Sequence, residues 1–316
     1  MYSKYQYLSG VQATVQANIL ADIVALVTGE TNVANLSASC DKVNSQIIST
    51  VAAGWALHDA AAGTNARCIK APFADDANAF KYAVIDTNTN GSIYMKVYEG
   101  WNATTHTGTN LCSNNVQFFQ QFDTVNGGTI HVFATARYLC LASKLTTGAF
   151  GSGTYNGASG CFERTRFCPF DTPARGFPPF VYLDFGYSSY AANGVSTPRK
   201  MERTGAFSVG TSATLDLVIV PYGIPTSLAA VFSGQGKKIL DASGQSMVPI
   251  FPVMVSDNVS SFANLSVPYG SLTDLCNIWA VPGGILGTLE TVQLGGVDYL
   301  NLYSYQGYIN YLIRKG

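Results

Sequence analysis

The sequence predicts an α+β protein, mainly antiparallel β and sandwich-like, with one or two N-terminal helices. Three observations carry this. Helical spacing of apolar residues is confined to the first 50 residues or so. Beyond Val51, short alternating or β-branched runs are separated by Gly, Asn, Asp and Pro. The 316 residues include 31 Gly, 18 Tyr and 17 Phe, yet only 12% are charged, about half the roughly 25% of an ordinary soluble domain. A neutral, aromatic surface of this kind suits permanent packing against other subunits. Composition shifts near Lys70, and charges cluster at Lys200–Arg203. They suggest an N-terminal helical docking segment (1–70), a β-rich domain (71–200) and a C-terminal β-rich domain (201–316).

The first helix is predicted over Gln12–Val27, where Val15, Ile19, Ile23 and Leu26, joined by Leu20, Val24 and Val27, recur at three and four. Gly29 supplies its stop. Leu36, Cys40, Val43 and Ile47 step in the same way and predict a second helix, with Asn35 or Ser37 as its N-cap. Strands are predicted at Tyr82–Asp86, Ser92–Glu99, Thr129–Leu141, Gly160–Arg166, Phe180–Phe185, Thr214–Pro221, Met247–Val255, Leu275–Val281, Glu290–Leu294 and Val297–Tyr303. Asn90-Gly91 and Gly295-Gly296 mark hairpins, because both turn positions tolerate positive φ. Asn126-Gly127-Gly128 marks a further turn. Long polar loops are expected at Gly100–Asn115, Thr146–Ser159, Ser188–Thr204 and Ser256–Asp274.

Charge excludes several functions. With 18 Lys and Arg against 19 Asp and Glu, nothing draws the chain to nucleic acid or an anionic membrane. No apolar run is long enough to span a bilayer, and Met1–Tyr7 lacks a signal-peptide pattern, so a protein made in a cytoplasm is expected. The seven cysteines, Cys40, Cys68, Cys112, Cys140, Cys161, Cys168 and Cys276, are odd in number and scattered, which suits buried reduced thiols better than a framework or a zinc site.

Catalytic patterns are absent. No G-x-S-x-G occurs, and Gly148–Gly157 lacks the Lys and helix of a phosphate loop. Of the three histidines, His58, beside Asp59, reads as part of a turn. His131 reads as a strand residue touching a cross-strand neighbour. His106 lies in the Thr-rich loop after Trp101. No catalytic, cofactor-binding or metal residue is expected; the candidate ligand or interface residues are Trp101, His106, Tyr303, Tyr305 and Tyr308. Aromatic clusters of this type serve sugar stacking or permanent interfaces.

Trp55–Pro72, Tyr82–Asn102 and Gly160–Arg166 with Gly176–Leu183 resemble the virion structural proteins of tailed bacteriophages. The likeness spans Gly10 to Phe185. It implies a non-enzymatic subunit of the tail or baseplate, present in many copies, that packs on itself and on other virion proteins and uses no cofactor. No site residues carry over, because the family is defined by likeness rather than by a chemical motif. Two alternatives share the composition. One is a receptor- or glycan-binding module of the tail, using the Trp101–His106 loop and the C-terminal tyrosines on a host-surface glycan. The other is a capsid decoration or head-to-tail connecting protein. An enzyme ranks last.

Overall fold

The computed structural model describes residues 1–48, 53–74, 76–87, 93–111, 116–117, 123–145, 156–163, 180–184, 199–200, 215–219, 239–240, 246–247, 250–257, 268–282, 289–302 and 309–316. The N-terminal part runs β1 (Tyr2–Tyr7), α1 (Gln12–Val27), β2 (Gln46–Ile47), β3 (Ala56–Gly63), β4 (Ala66–Pro72), β5 (Phe80–Thr87), β6 (Ile93–Asn102) and β7 (Thr107–Leu111). It continues with β8 (Val116–Gln117), β9 (Gly128–Thr135), β10 (Tyr138–Leu145), β11 (Asn156–Glu163), β12 (Phe180–Asp184) and β13 (Arg199–Lys200). The rest comprises β14 (Leu215–Ile219), β15 (Ile239–Leu240), β16 (Ser246–Met247), β17 (Phe251–Asp257), β18 (Pro268–Ser271), α2 (Thr273–Cys276), β19 (Ile278–Pro282), β20 (Thr291–Leu294), β21 (Val297–Leu302) and β22 (Ile309–Arg314). Every strand pairing among the described residues is antiparallel.

Three sheets dominate: a central one ordered β13-β12-β11-β10-β9-β1-β2, a second ordered β3-β4-β5-β6-β7 with β8 beside β6, and a third ordered β14-β17-β19-β22-β21-β20 with β18 beside β17. Side chains that alternate along each strand decide which layers meet. On one face of the central sheet, Tyr5, Tyr7, Ile130, Val132, Ala134, Leu139, Leu141 and Cys161 share a core with α1 and with Ile69, Ala71, Ala83, Ile85, Met95 and Val97 of the second sheet. On the other face, Tyr2, Phe133, Tyr138, Cys140 and Phe162 pack with Ile278, Ala280, Leu300, Leu302, Tyr311 and Ile313 of the third. The central sheet is therefore buried on both sides. The composition shift at Lys70 falls inside β4, which pairs with β3 on one side and β5 on the other.

Helix α1 forms where its spacing predicts. Ile19, Ile23, Leu26 and Val27 are fully buried, and each such side chain contributes on the order of 1.5–3 kcal/mol. The helix ends in a Schellman motif: Glu30 N–H donates to Ala25 O at 2.9 Å, Gly29 N–H to Leu26 O at 3.2 Å, and Gly29 has φ +115°. On its inner side the buried Asp22 accepts from Tyr5 OH at 2.8 Å and from the Ser37 amide and hydroxyl at 2.6 and 2.7 Å.

The second predicted helix does not form. Leu36 and Cys40 are buried, but Val43 is 87% exposed. Asn32 caps a 3-10 turn at Val33–Asn35 by accepting from Ala34 N–H at 2.9 Å, and Asp41 accepts from the Val43 and Asn44 amides at 3.0 and 3.1 Å. These Asx side chains capture amides that a helix needs, while backbone bonds from Leu8 to Ser39 and from Asp41 to Gln6 hold the segment along β1.

Other expectations are corrected. Thr129–Leu141 is two strands, β9 and β10, joined through Ala136-Arg137, with Thr135 opposite Tyr138; no turn-forming residue advertises the break. Leu275–Val281 begins as α2, stopped by Asn277 at φ +51°. The Gly100–Asn115 loop is largely the β6–β7 hairpin. Strands β1, β2, β3, β4, β8, β13, β15, β18 and β22 add to those predicted, with β13 and β18 inside the expected loops Ser188–Thr204 and Ser256–Asp274. The Gly295-Gly296 hairpin forms as expected, with φ +56° and +82°. The Asn90-Gly91 turn lies outside the described residues, although β5 and β6 pair across it.

Candidate functional site

The chemistry-bearing side chains gather on the outer face of the second sheet. A register shift between Leu57 and Asp59 interrupts the β3–β4 ladder, and a bulge of this kind re-aims side chains. His58 and Asp59, which would point to opposite faces of a regular strand, both reach the outer one. The His58 ring lies 5.1 Å from that of Tyr82, and Tyr82 stands opposite Tyr98 across the β5–β6 ladder. The Tyr98 ring meets Trp101 edge-on at 5.3 Å. Gly108 permits this: a Cβ there would lie 2.2 Å from Tyr98 Cδ1. His58 is thus a strand residue rather than part of a turn.

Asp59 organises one end of the row. It is 5% exposed, yet its Oδ2 accepts from Trp101 Nε1 at 2.9 Å and from His106 Nδ1 at 2.8 Å, and its Oδ1 from Ala61 N–H at 2.8 Å. A carboxylate can only accept, so Nδ1 of His106 carries the proton. Nε2 is left on a side chain that is 43% exposed. The hairpin loop is fixed as well. Asn102 Oδ1 accepts from the Thr104 and Thr105 amides at 2.9 and 3.2 Å, the Thr105 and Thr107 hydroxyls bond at 2.7 Å, and His106 has φ +55°.

Burial pushes the Asp59 carboxyl up, but hydrogen bonds from His106, Trp101 and Ala61 outweigh it and hold the group below the ordinary carboxylate value. A depressed pKa contributes stability that is fully present above the unfolded value of about 3.9 and lost as pH falls through the folded one. Acid titration followed by the Trp101 indole N–H resonance will therefore show a change beginning below pH about 4. Asp59→Asn will show the altered resonance already at neutral pH and no transition in that window.

A second polar cluster sits inside. Lys81 on β5 is fully buried and donates to Glu163 Oε2 at 3.1 Å and to Pro72 O at 2.7 Å, with its Nζ 4.9 Å from the centre of the Phe73 ring. Glu163, at the end of β11, also receives Arg137 Nη1 at 3.4 Å and the Ala74 amide, and its carbonyl accepts from Cys276 Sγ at 3.0 Å. Burial lowers the Lys81 pKa and the Glu163 charge opposes it. The cluster ties β5, β11 and α2 together, with the Lys81 and Glu163 side chains withdrawn from solvent. Burial also pushes the Cys68 and Cys161 thiols up to about 12, so neither is a nucleophile.

Sequence reasoning singled out Trp101 and His106, and the structure joins them through Asp59, which it had not connected to them. Tyr303, Tyr305 and Tyr308 lie outside the described residues, as do Cys112 and Cys168; Tyr311 is buried in the core. The other five cysteines are buried and free. His131 Nδ1 lies 2.8 Å from the hydroxyl of Tyr2 on the neighbouring strand. Among the described residues no group of three or more His, Cys, Asp or Glu could hold a metal ion, and no helix is long and apolar enough to cross a membrane.

The fold and site define a mainly antiparallel β protein with an N-terminal helix and an aromatic outer face on its second sheet. No family model and no curated protein matches the chain.

Proposed function

We propose that this chain is a non-enzymatic structural subunit of a virus particle, present in many copies in the tail or baseplate of a tailed bacteriophage. The observation that carries the assembly part is an apolar rim at one end of the central sheet. Leu8, Val11, Val43 and Val125 are 45%, 75%, 87% and 79% exposed. Backbone bonds from Leu8 to Ser39, from Gly10 to Thr124 and from Asp41 to Gln6 bring their three segments together. Exposed apolar clusters mark interaction surfaces, and a chain with 12% charge has little to keep copies apart. The phage assignment is supported by the resemblance of Trp55–Pro72, Tyr82–Asn102 and Gly160–Arg166 with Gly176–Leu183, segments that include β3, β4 and β6 and parts of β5, β11 and β12.

The test is sedimentation of the purified chain over a range of concentrations. A discrete multi-copy species is expected, and Val11→Glu with Val125→Glu will shift it to monomer while leaving the far-UV spectrum unchanged. A compact wild-type monomer at every concentration would overturn the assembly reading. Immunogold microscopy of the source particles then separates locations: label on the tail supports the tail reading, label on the head transfers the subunit to decoration or connection, and absence from particles removes the virion role.

A further inference from the structure

We infer that the outer face of the second sheet is a binding site for a neutral carbohydrate chain, laid along the rings of His58, Tyr82, Tyr98 and Trp101. This goes beyond the assembly role and does not depend on it, since the apolar rim involves the β1–α1 connection, the turn before β9 and the segment after α1, none of them in this sheet.

The rings form two contacting pairs set side by side on one face. His58 and Tyr82 are 5.1 Å apart, Tyr82 and Tyr98 are direct cross-strand partners, and Tyr98 and Trp101 are 5.3 Å apart. All four residues are half-buried, held by the sheet beneath yet presenting surface. Rigid aromatic surface of this sort suits the flat C–H face of a sugar ring, which is apolar while its edges are hydroxyls.

The charge around the row selects the ligand. Asp59, the carboxylate that joins Trp101 to His106, is buried and occupied by three donors, so it is not offered to a cationic ligand. Lys70, on the same face, lies 4.8 Å over the Phe80 ring, which further disfavours a cation. An anionic polymer would need a positive stripe, whereas Lys70 is held over the Phe80 ring and Lys96 is paired electrostatically with Asp86 on the same face. What remains suits an uncharged ligand that is apolar on one face and hydroxylated at its edges.

Polar groups stand ready for those edges. The His106 side chain is partly exposed, and its ring is fixed through Nδ1 by Asp59 in a loop whose left-handed His106 backbone is itself uncommon for a non-glycine residue. A group already immobilised before binding loses little entropy on binding. Asn102 is exposed, with its carbonyl oxygen occupied by two backbone amides, so its side-chain NH2 is the group it can present. At the far end, His58 Nε2 is buried with no hydrogen-bond partner. A buried polar atom left unpaired costs about 1–3 kcal/mol, which a ligand hydroxyl reaching it would relieve.

The experiment titrates the intact chain with three neutral hexasaccharides (maltohexaose, cellohexaose and a mannohexaose) and with an anionic galacturonate hexamer. Binding is followed by saturation-transfer NMR on the sugar and by the Trp101 indole resonance. Binding of at least one neutral oligomer, with contact through its ring protons and weaker or absent binding of the anionic one, is expected. Trp101→Ala and Tyr82→Ala will each weaken binding by about tenfold or more, Trp101→Phe will retain part of it, and His106→Ala will weaken it without removing ring-proton contact. Far-UV spectra and thermal midpoints establish that the variants are folded, and Lys144→Ala, on β10 of the central sheet, is the unaffected control. Absence of binding by all three neutral oligomers, equal binding of the anionic one, or unchanged affinity in folded Trp101→Ala and Tyr82→Ala would each overturn the proposal. Burial of the Trp101 resonance by rising protein concentration alone would reassign the face to contact between copies.

Discussion

Replacing Glu163 by glutamine will destabilise the protein by about 3–5 kcal/mol, the usual consequence of leaving one member of a buried ion pair uncompensated. Lys81 is fully buried, Glu163 is 2% exposed, and they meet at 3.1 Å. Glutamine keeps the volume of glutamate, so the loss reports the missing charge rather than a cavity. Arg137 cannot replace it, being a second cation drawn to the same oxygen at 3.4 Å. The effect also has a pH signature. Burial already lowers the Lys81 pKa against the pull of Glu163; without that pull it falls further. Between the folded value and the ordinary unfolded value of about 10.4, the unfolded state then binds more protons, and stability rises with pH. Urea unfolding of Glu163→Gln at pH 7 and 9.5 will show the deficit narrowing at the higher pH. The double variant Lys81→Met with Glu163→Gln will recover much of the loss, because an apolar side chain of similar size has no charge to desolvate. A single-variant loss under about 1 kcal/mol would mean that water reaches Lys81, and the buried-pair account would fail.

The second large effect is expected at Phe133. This side chain is fully buried, its ring stands 4.8 Å from that of Tyr2, and it shares a core with Ile278, Leu300 and Ile313 of the third sheet. Phe133→Ala will cost about 3–5 kcal/mol through lost burial and the cavity left behind. Ile48→Thr, at a site 50% exposed, will change stability by no more than about 0.5 kcal/mol. Hydrogen exchange adds a test of the layering. If the central and third sheets unfold as one unit, Phe133→Ala will accelerate exchange at the protected amides of β19, β21 and β22 along with those of β9 and β10. Acceleration confined to β9 and β10 would show that the layers are energetically separate.

Much of the local structure was readable because its cause lies within a few residues. The three-and-four spacing of Val15, Ile19, Ile23 and Leu26 with Gly29 after them specifies α1 and its Schellman ending. The Gly295-Gly296 pair specifies a tight hairpin, since both positions adopt positive φ. Where a local signal misled, another short-range interaction had competed with it. The helical spacing of Leu36, Cys40, Val43 and Ile47 gives way to amides captured by Asn32 and Asp41 and to the neighbouring β1 backbone. The β9–β10 turn at Ala136-Arg137 carries no turn residue to mark it.

The sequence by itself determined the fold class, the first helix, about half of the strands and the shortage of charge, all of which follow from composition and short-range periodicity. Trp101 and His106 stood out there as unusual residues in a polar loop. Only the tertiary structure decided that Asp59 joins them, because it comes from a different strand, 42 and 47 residues away in sequence, through a bulge that no residue pattern announces. Likewise, Lys81 and Glu163 are 82 residues apart and meet only because two sheets stack. Side-chain alternation states that a strand has two faces; which layer covers each face is set by packing, and packing is a property of the whole chain.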